Sequence, residues 1–205
     1  MTFEPDFEYD RYGGHEIDFD VILRELFRVI TLIYSASTIW DMDQAAPPVI
    51  TEPFPDLSSR TSIGKLQRKF LSGELSRGLI YVAVSMRILD DRAPNLFDKN
   101  MEAECGSFAE QNKSVRPLCL RKACNKIIHA SEFIRGPETV FYDQNQEEVR
   151  RWNDLTGANA NLDNFIFLRG DMSNKAWTCA IRVDDFSDLV VKAVNFHKAQ
   201  EAANE

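Results

Sequence analysis

The sequence predicts a mainly α protein of α+β character: a helical bundle, with a small C-terminal antiparallel β-hairpin or three-stranded sheet and a final helix. Two observations carry this expectation. Apolar residues recur at three- and four-residue intervals over 17–40 and again over 61–91, the period of an amphipathic helix. After Pro137 the period changes, and Trp177, Cys179 and Ile181 alternate with Thr178, Ala180 and Arg182, as in a strand. A chain of 205 residues favours one domain and is long enough to bury roughly 70% of the surface its unfolded form exposes. Three stretches are expected: an acidic-aromatic arm over 1–16, a helical bundle over 17–135, and a hairpin plus C-terminal helix over 136–205 packed on the same core.

Taken in order, residues 1–16 interleave Glu4, Asp6, Glu8 and Asp10 with Phe3, Phe7, Tyr9 and Tyr12. Such a segment cannot build its own core. The first helix places Phe19, Ile22, Leu26, Ile30, Ile33 and Trp40 on one stripe and is expected to end before Asp41, where a proline-bearing linker (Pro47, Pro48, Pro53, Pro55) begins. The second spans Thr61 to Asp91 with Ile63, Leu66, Phe70, Leu75, Leu79, Val82, Met86 and Leu89 inward. Gly73 and Gly78 interrupt it at about 1 kcal/mol each relative to alanine, which points to a kink or close packing against another helix.

A short third helix is expected within 98–113. Ser114 then reads as the cap of a fourth, with Pro117 tolerated in its first turn, running to about Phe133 before Gly136-Pro137. Beyond it, 139–142 reads as a short strand, 146–155 as a short helix and 156–161 as a loop. A hairpin pairs 164–169 with 176–183 across Gly170–Asn174. The last helix, 184–199, turns Phe186, Leu189, Val190, Ala193 and Phe196 inward, with Asp184 and Asp185 favourable at its start.

Charge is distributed unevenly. The net charge is −8, yet residues 61–130 carry 12 basic and 7 acidic side chains (+5), while both flanks are acidic. The acidic total argues against indiscriminate nucleic-acid binding, because that binding scales with the cations presented to phosphates. Cys105, Cys119, Cys124 and Cys179 lack CxxC spacing and read as reduced thiols of a cytoplasmic protein. No basic leader precedes an apolar core and no apolar run nears 18 residues, so no membrane partner is expected.

The sequence contains no phosphate-binding glycine loop, GxGxxG, HExxH, GxSxG or paired Cys/His zinc spacing, and no cofactor or metal is expected. Asp18-Phe-Asp20 and Asp41-Met-Asp43 read as helix-end chemistry. The remaining constellation is Arg121-Lys-Ala-Cys-Asn125-Lys-Ile-Ile-His129. Four-residue steps put Arg121, Asn125 and His129 within about 80° of one another, away from Leu120, Cys124 and Ile127. Glu132 is expected to join this flank and orient the imidazole. His129, near the helix C-terminus, would be favoured there as a cation.

Asn125-Lys-Ile-Ile-His129 resembles the polar-residue-to-histidine half of the motif of the HEPN superfamily, small helical bundles that often dimerise and in many cases are metal-independent ribonucleases. The arginine half departs from the pattern. Arg121 leaves seven residues before His129, about 5–6 Å too far along the axis, with Lys122 or an arginine of the second helix as substitutes. The stretch from Pro117 to Ala130, with Trp177-Thr-Cys-Ala-Ile181, also looks like uncharacterised bacterial proteins. The resemblance implies His129 as general acid/base on an RNA 2′-hydroxyl, Asn125 positioning the phosphate and Arg121 stabilising its charge. Two functional expectations follow: a HEPN-like interaction or regulatory module without catalysis, or a metal-independent ribonuclease. A second copy of the chain, and RNA or another polyanion at the basic third, are the expected partners.

Overall fold

The computed structural model describes residues 18–47, 61–92, 103–110, 113–135, 153–157, 164–172 and 175–204. The expected arm at 1–16, the linker beyond Pro47 and the strand at 139–142 lie outside them. Of the helix expected over 146–155, the described part is a helical turn over 153–156.

Helix α1 spans Phe19–Ala45, five residues further than its apolar period suggested. Asp18 caps it, accepting from the N–H groups of Asp20 and Val21 at 2.9 and 3.1 Å. The extension through Asp41-Met-Asp43 has a physical reason. Asp43 is buried and accepts from both the N–H (2.6 Å) and the hydroxyl (2.7 Å) of Thr61, just ahead of α2, Ser62–Arg92. Both DxD pairs therefore do helix-end work. Gln67 donates to the Ala36 carbonyl at 2.7 Å. Further along, a Cβ on Gly78 would lie 2.6 Å from a Val29 methyl, so that glycine lets the two helices approach closely. The inward residues of α2 are Leu71, Leu75, Leu79, Val82, Met86 and Leu89; Ile63, Leu66 and Phe70, expected inward, are exposed.

The middle of the chain departs most from expectation. In place of a helix within 98–113 there is β1, Glu104–Glu110, and in place of a helix capped by Ser114 there is β2, Arg116–Cys119. Pro117 lies opposite Ser107 on this edge strand, where a missing N–H is tolerated. Helix α3 is correspondingly short, Leu120–Ile128, and β3, Glu132–Arg135, follows where that helix was expected to continue. The hairpin forms as expected, from β4, Phe165–Met172, and β5, Lys175–Arg182. It is the centre of a five-stranded antiparallel sheet of order β2-β1-β5-β4-β3 rather than a small appendage.

Helix α4, Val183–Asn204, closes the fold. One sheet face, through Trp177, Cys179, Ile181, Ile166 and Leu168, joins the helices in the main core. The other is also covered in part, where Phe167 and Ala180 pack with Leu155. In α4, Phe186, Leu189, Val190 and Ala193 are inward as expected, but Phe196 is exposed and His197 takes the buried place. Tyr34 of α1 donates to Asp184, which raises the phenol pKa to about 12, and Lys198 reaches Asp20 at 2.8 Å, so α4 is tied to α1 at two points.

Candidate functional site

Helix α3 leaves the edge strand directly, with Cys119 at its N-cap and no side-chain cap. It buries Leu120, Ala123, Cys124 and Ile127 and turns a polar flank outward, as the spacing requires. His129 is the C-cap residue, its N–H donating to the Asn125 carbonyl at 3.1 Å. Asn125 and His129 are both exposed. Neither side chain takes part in a hydrogen bond or ion pair among the described residues. The carbonyl of His129 packs on β4, where a Cβ on Gly170 would fall 2.8 Å from it and 2.3 Å from the Trp177 ring.

Arg121 and Glu132 do not join this pair. The Arg121 guanidinium donates to Asp90 near the end of α2, a carboxylate with no side-chain exposure that Arg87 also holds at 2.8 Å. Arg87 reaches Asp91 as well, at 3.5 Å. A buried carboxylate needs paired cations to be tolerated, so the cation expected to serve the histidine is spent on the core. Glu132 sits in β3, beyond the helix whose flank it was expected to share, and pairs with Arg169 of β4 at 3.6 Å.

Several cations of the basic third are similarly committed. Arg68 lies 4.6 Å over the Trp40 ring, Arg77 pairs with Glu74, and Lys113 with Glu110. Lys126 stands 4.1 Å over Trp177 and 5.2 Å over Phe108, with its ammonium pKa lowered by burial. Cations held this way present little free charge to phosphates.

The structure also brings together residues the spacing kept apart. Cys105, Cys124 and Cys179, from β1, α3 and β5, are buried, and Cys119 is half-buried; all four are free thiols. Burial pushes the Cys105 thiol up to about 12 and raises those of Cys124 and Cys179 as well. Thiolates being the reactive form, alkylation of the native protein should consume Cys119 first and leave the other three until unfolding. Rapid loss of all four thiols would contradict this packing. Among the described residues, no group of three or more His, Cys, Asp or Glu side chains is arranged to hold a metal ion.

His197 was visible in the sequence as the next step of the stripe Phe186, Val190, Ala193 but was not assigned a place. It is 6% exposed, its ring stacks on Phe19 at 6.4 Å, and its Nε2 has no hydrogen-bond partner among the described residues. Its pKa is lowered by burial, with Glu201 opposing, Arg92 reinforcing and Asp90 opposing. A histidine with a folded pKa below its unfolded value takes a proton in the unfolded chain first. Stability should therefore fall as pH drops below about 6.5, the unfolded value, and the loss levels off once the folded pKa is passed. Urea midpoints at pH 7.5 and 5.5 should diverge more for the wild type than for His197→Leu; equal divergence would exclude this ring as a source.

No family model, curated protein or solved structure matches this chain. The reading of its function therefore stands on the geometry.

Proposed function

We propose that the protein is an interaction or regulatory module without catalysis. The observation that supports this best is the engagement of Arg121 with buried Asp90. General acid/base catalysis on a phosphodiester needs an imidazole held in place and a cation free to stabilise the phosphate. Here the imidazole is exposed and has no orienting partner among the described residues, while its expected cation and its expected carboxylate are bonded elsewhere. The HEPN resemblance rests on Asn125 and His129 and stays part of the proposal as kinship of form.

The second reading, a metal-independent ribonuclease using His129 as general acid/base, is favoured by one feature: Asn125 and His129 share an exposed flank, with both side chains uncommitted among the described residues. Incubating a mixed RNA pool with wild type and His129→Ala in a chelator separates the two. Equal, background-level cleavage is expected, and cleavage that disappears in His129→Ala would overturn the module reading in favour of the nuclease. No helix among the described residues is long and apolar enough to cross a membrane. With its four free thiols, the proposal places the protein in the cytoplasm.

A further inference from the structure

The four sulfurs that gather around β1 are not equivalent, and chain geometry sorts them into partners. Cys119 lies opposite Glu104 in the β1-β2 ladder, so Cys105 is the next residue along the facing strand. Residues offset by one across an antiparallel pair have Cα atoms about 6 Å apart. A disulfide spans about 4.4–6.8 Å between Cα atoms.

In a regular ladder two such residues would point to opposite faces of the sheet. The register of β1 shifts between Glu104 and Ser107, and Cys105 falls in that irregularity, where a bulge re-aims a side chain. Its thiol leans toward β2 and donates to the carbonyl of Leu118, the residue before Cys119, at 3.4 Å. A trans peptide holds that oxygen about 3 Å from the following Cα, so the Cys105 sulfur is at most about 6 Å from the Cys119 Cα. The two sulfurs also feel one another: after burial, the charge of Cys119 is what raises the Cys105 thiol most.

The other two cysteines fit this role poorly. Cys124 follows Cys119 by five residues along α3, which separates their Cα atoms by about 9 Å, beyond the roughly 7 Å that a disulfide can bridge. Cys179 faces Phe108, three residues along β1 from Cys105, or about 10 Å away. Cys105 and Cys124 are sealed at 0% and 1% exposure, so an oxidant reaches neither first.

We propose that Cys119 and Cys105 are a peroxide-responsive pair that closes to a disulfide and is reopened by thiols. Half-buried Cys119 is the sulfur that a small oxidant can reach. As its thiolate it attacks one oxygen of a hydroperoxide and breaks the O–O bond. Sulfur is oxidised to sulfenic acid, and the peroxide is reduced to an alkoxide that takes up the thiol's proton. The Cys105 sulfur then displaces the sulfenic oxygen, which leaves as water with the Cys105 proton. Two thiols and one hydroperoxide thus give one disulfide, one alcohol and one water; with hydrogen peroxide the alcohol is a second water. The high pKa of Cys105 suits this division of labour, since a protonated thiol is inert to peroxide and acts only on a sulfur already beside it. The bond closes the β1-β2 hairpin at its open end, where β2, an edge strand, passes into α3. Transient disulfides of this kind are the ones a reducing compartment permits.

The full chain, treated with a small excess of hydrogen peroxide near neutral pH and then blocked with N-ethylmaleimide in denaturant, should lose two of its four thiols. Trypsin cuts at Lys113 between the two cysteines, and the non-reducing map should join the Cys105 peptide to the Cys119 peptide. Dithiothreitol should restore all four thiols. Amide exchange over 116–120 should slow on oxidation. Cys119→Ser should keep its three remaining thiols over the same interval, and Cys105→Ser should accumulate a sulfenic acid at Cys119 that dimedone traps. The proposal is overturned if no thiol is lost, if Cys119 proceeds to sulfinic acid while the other three stay free, if the map joins a different pair, or if the bond forms between chains. The wild-type map alone decides among these outcomes, so a Cys105→Ser protein that fails to fold leaves the test intact.

Discussion

Replacing Arg87 and Arg121 together by methionine should destabilise the protein by about 3–5 kcal/mol, the loss expected when a buried charge is deprived of paired cations. The carboxylate at risk is Asp90, which has no exposed side-chain surface and draws on both guanidiniums. Arg121→Met alone should cost less, on the order of 1 kcal/mol, since its head is 38% exposed and Arg87 stays in place. Adding Asp90→Asn to the double variant should restore much of the loss by removing the charge that needed partners. Urea denaturation of the four proteins measures this. If the double variant were as stable as wild type, Asp90 would not depend on these arginines, and Arg121 would return as a candidate phosphate ligand.

The second large effect is expected at Gly170. A side chain there would enter the Trp177 ring, 2.3 Å away, and press on the His129 carbonyl. Trp177 is buried and cannot retreat, so Gly170→Val should cost roughly 3 kcal/mol, at the upper end for overpacking. Trp177 fluorescence should shift at the same time, since the ring must move. A variant with wild-type stability and unchanged emission would mean that β4 and the end of α3 are not packed as described.

The two long helices and the hairpin were legible because apolar residues recur along each at helix or strand spacing, although in α2 the first three residues of the expected stripe, Ile63, Leu66 and Phe70, lie on the exposed side. The middle of the chain was not. Glu104-Cys-Gly-Ser-Phe-Ala-Glu110 has little strand propensity of its own. It becomes β1 because β5 and β2 flank it, the kind of context that outweighs residue preference in sheets. Arg116–Cys119 was taken into a helix because Ser114 and Pro117 suit a helix start, and the same proline suits an edge strand equally well.

At the site, the outward turn of Asn125 and His129 followed from the spacing of Leu120, Cys124 and Ile127. The fate of Arg121 did not. Its partner, Asp90, lies 31 positions away on a different helix. Nor could spacing show that four cysteines spread over 75 residues would converge, because that depends on β1 finding β5.

That pairing makes folding wait on translation. Residues 104–110 gain their central neighbour only when 175–182 exist, and β4 likewise depends on that strand. A ribosome must therefore release nearly the whole polypeptide before the sheet can assemble, while α1 and α2 can already meet as a local hairpin. Contacts of such long range form slowly and leave edges bare in the interval. A nascent chain stopped short of residue 175 should be a helical hairpin trailing two separate strand pairs, β2-β1 and β4-β3, each with the edge meant for β5 left bare.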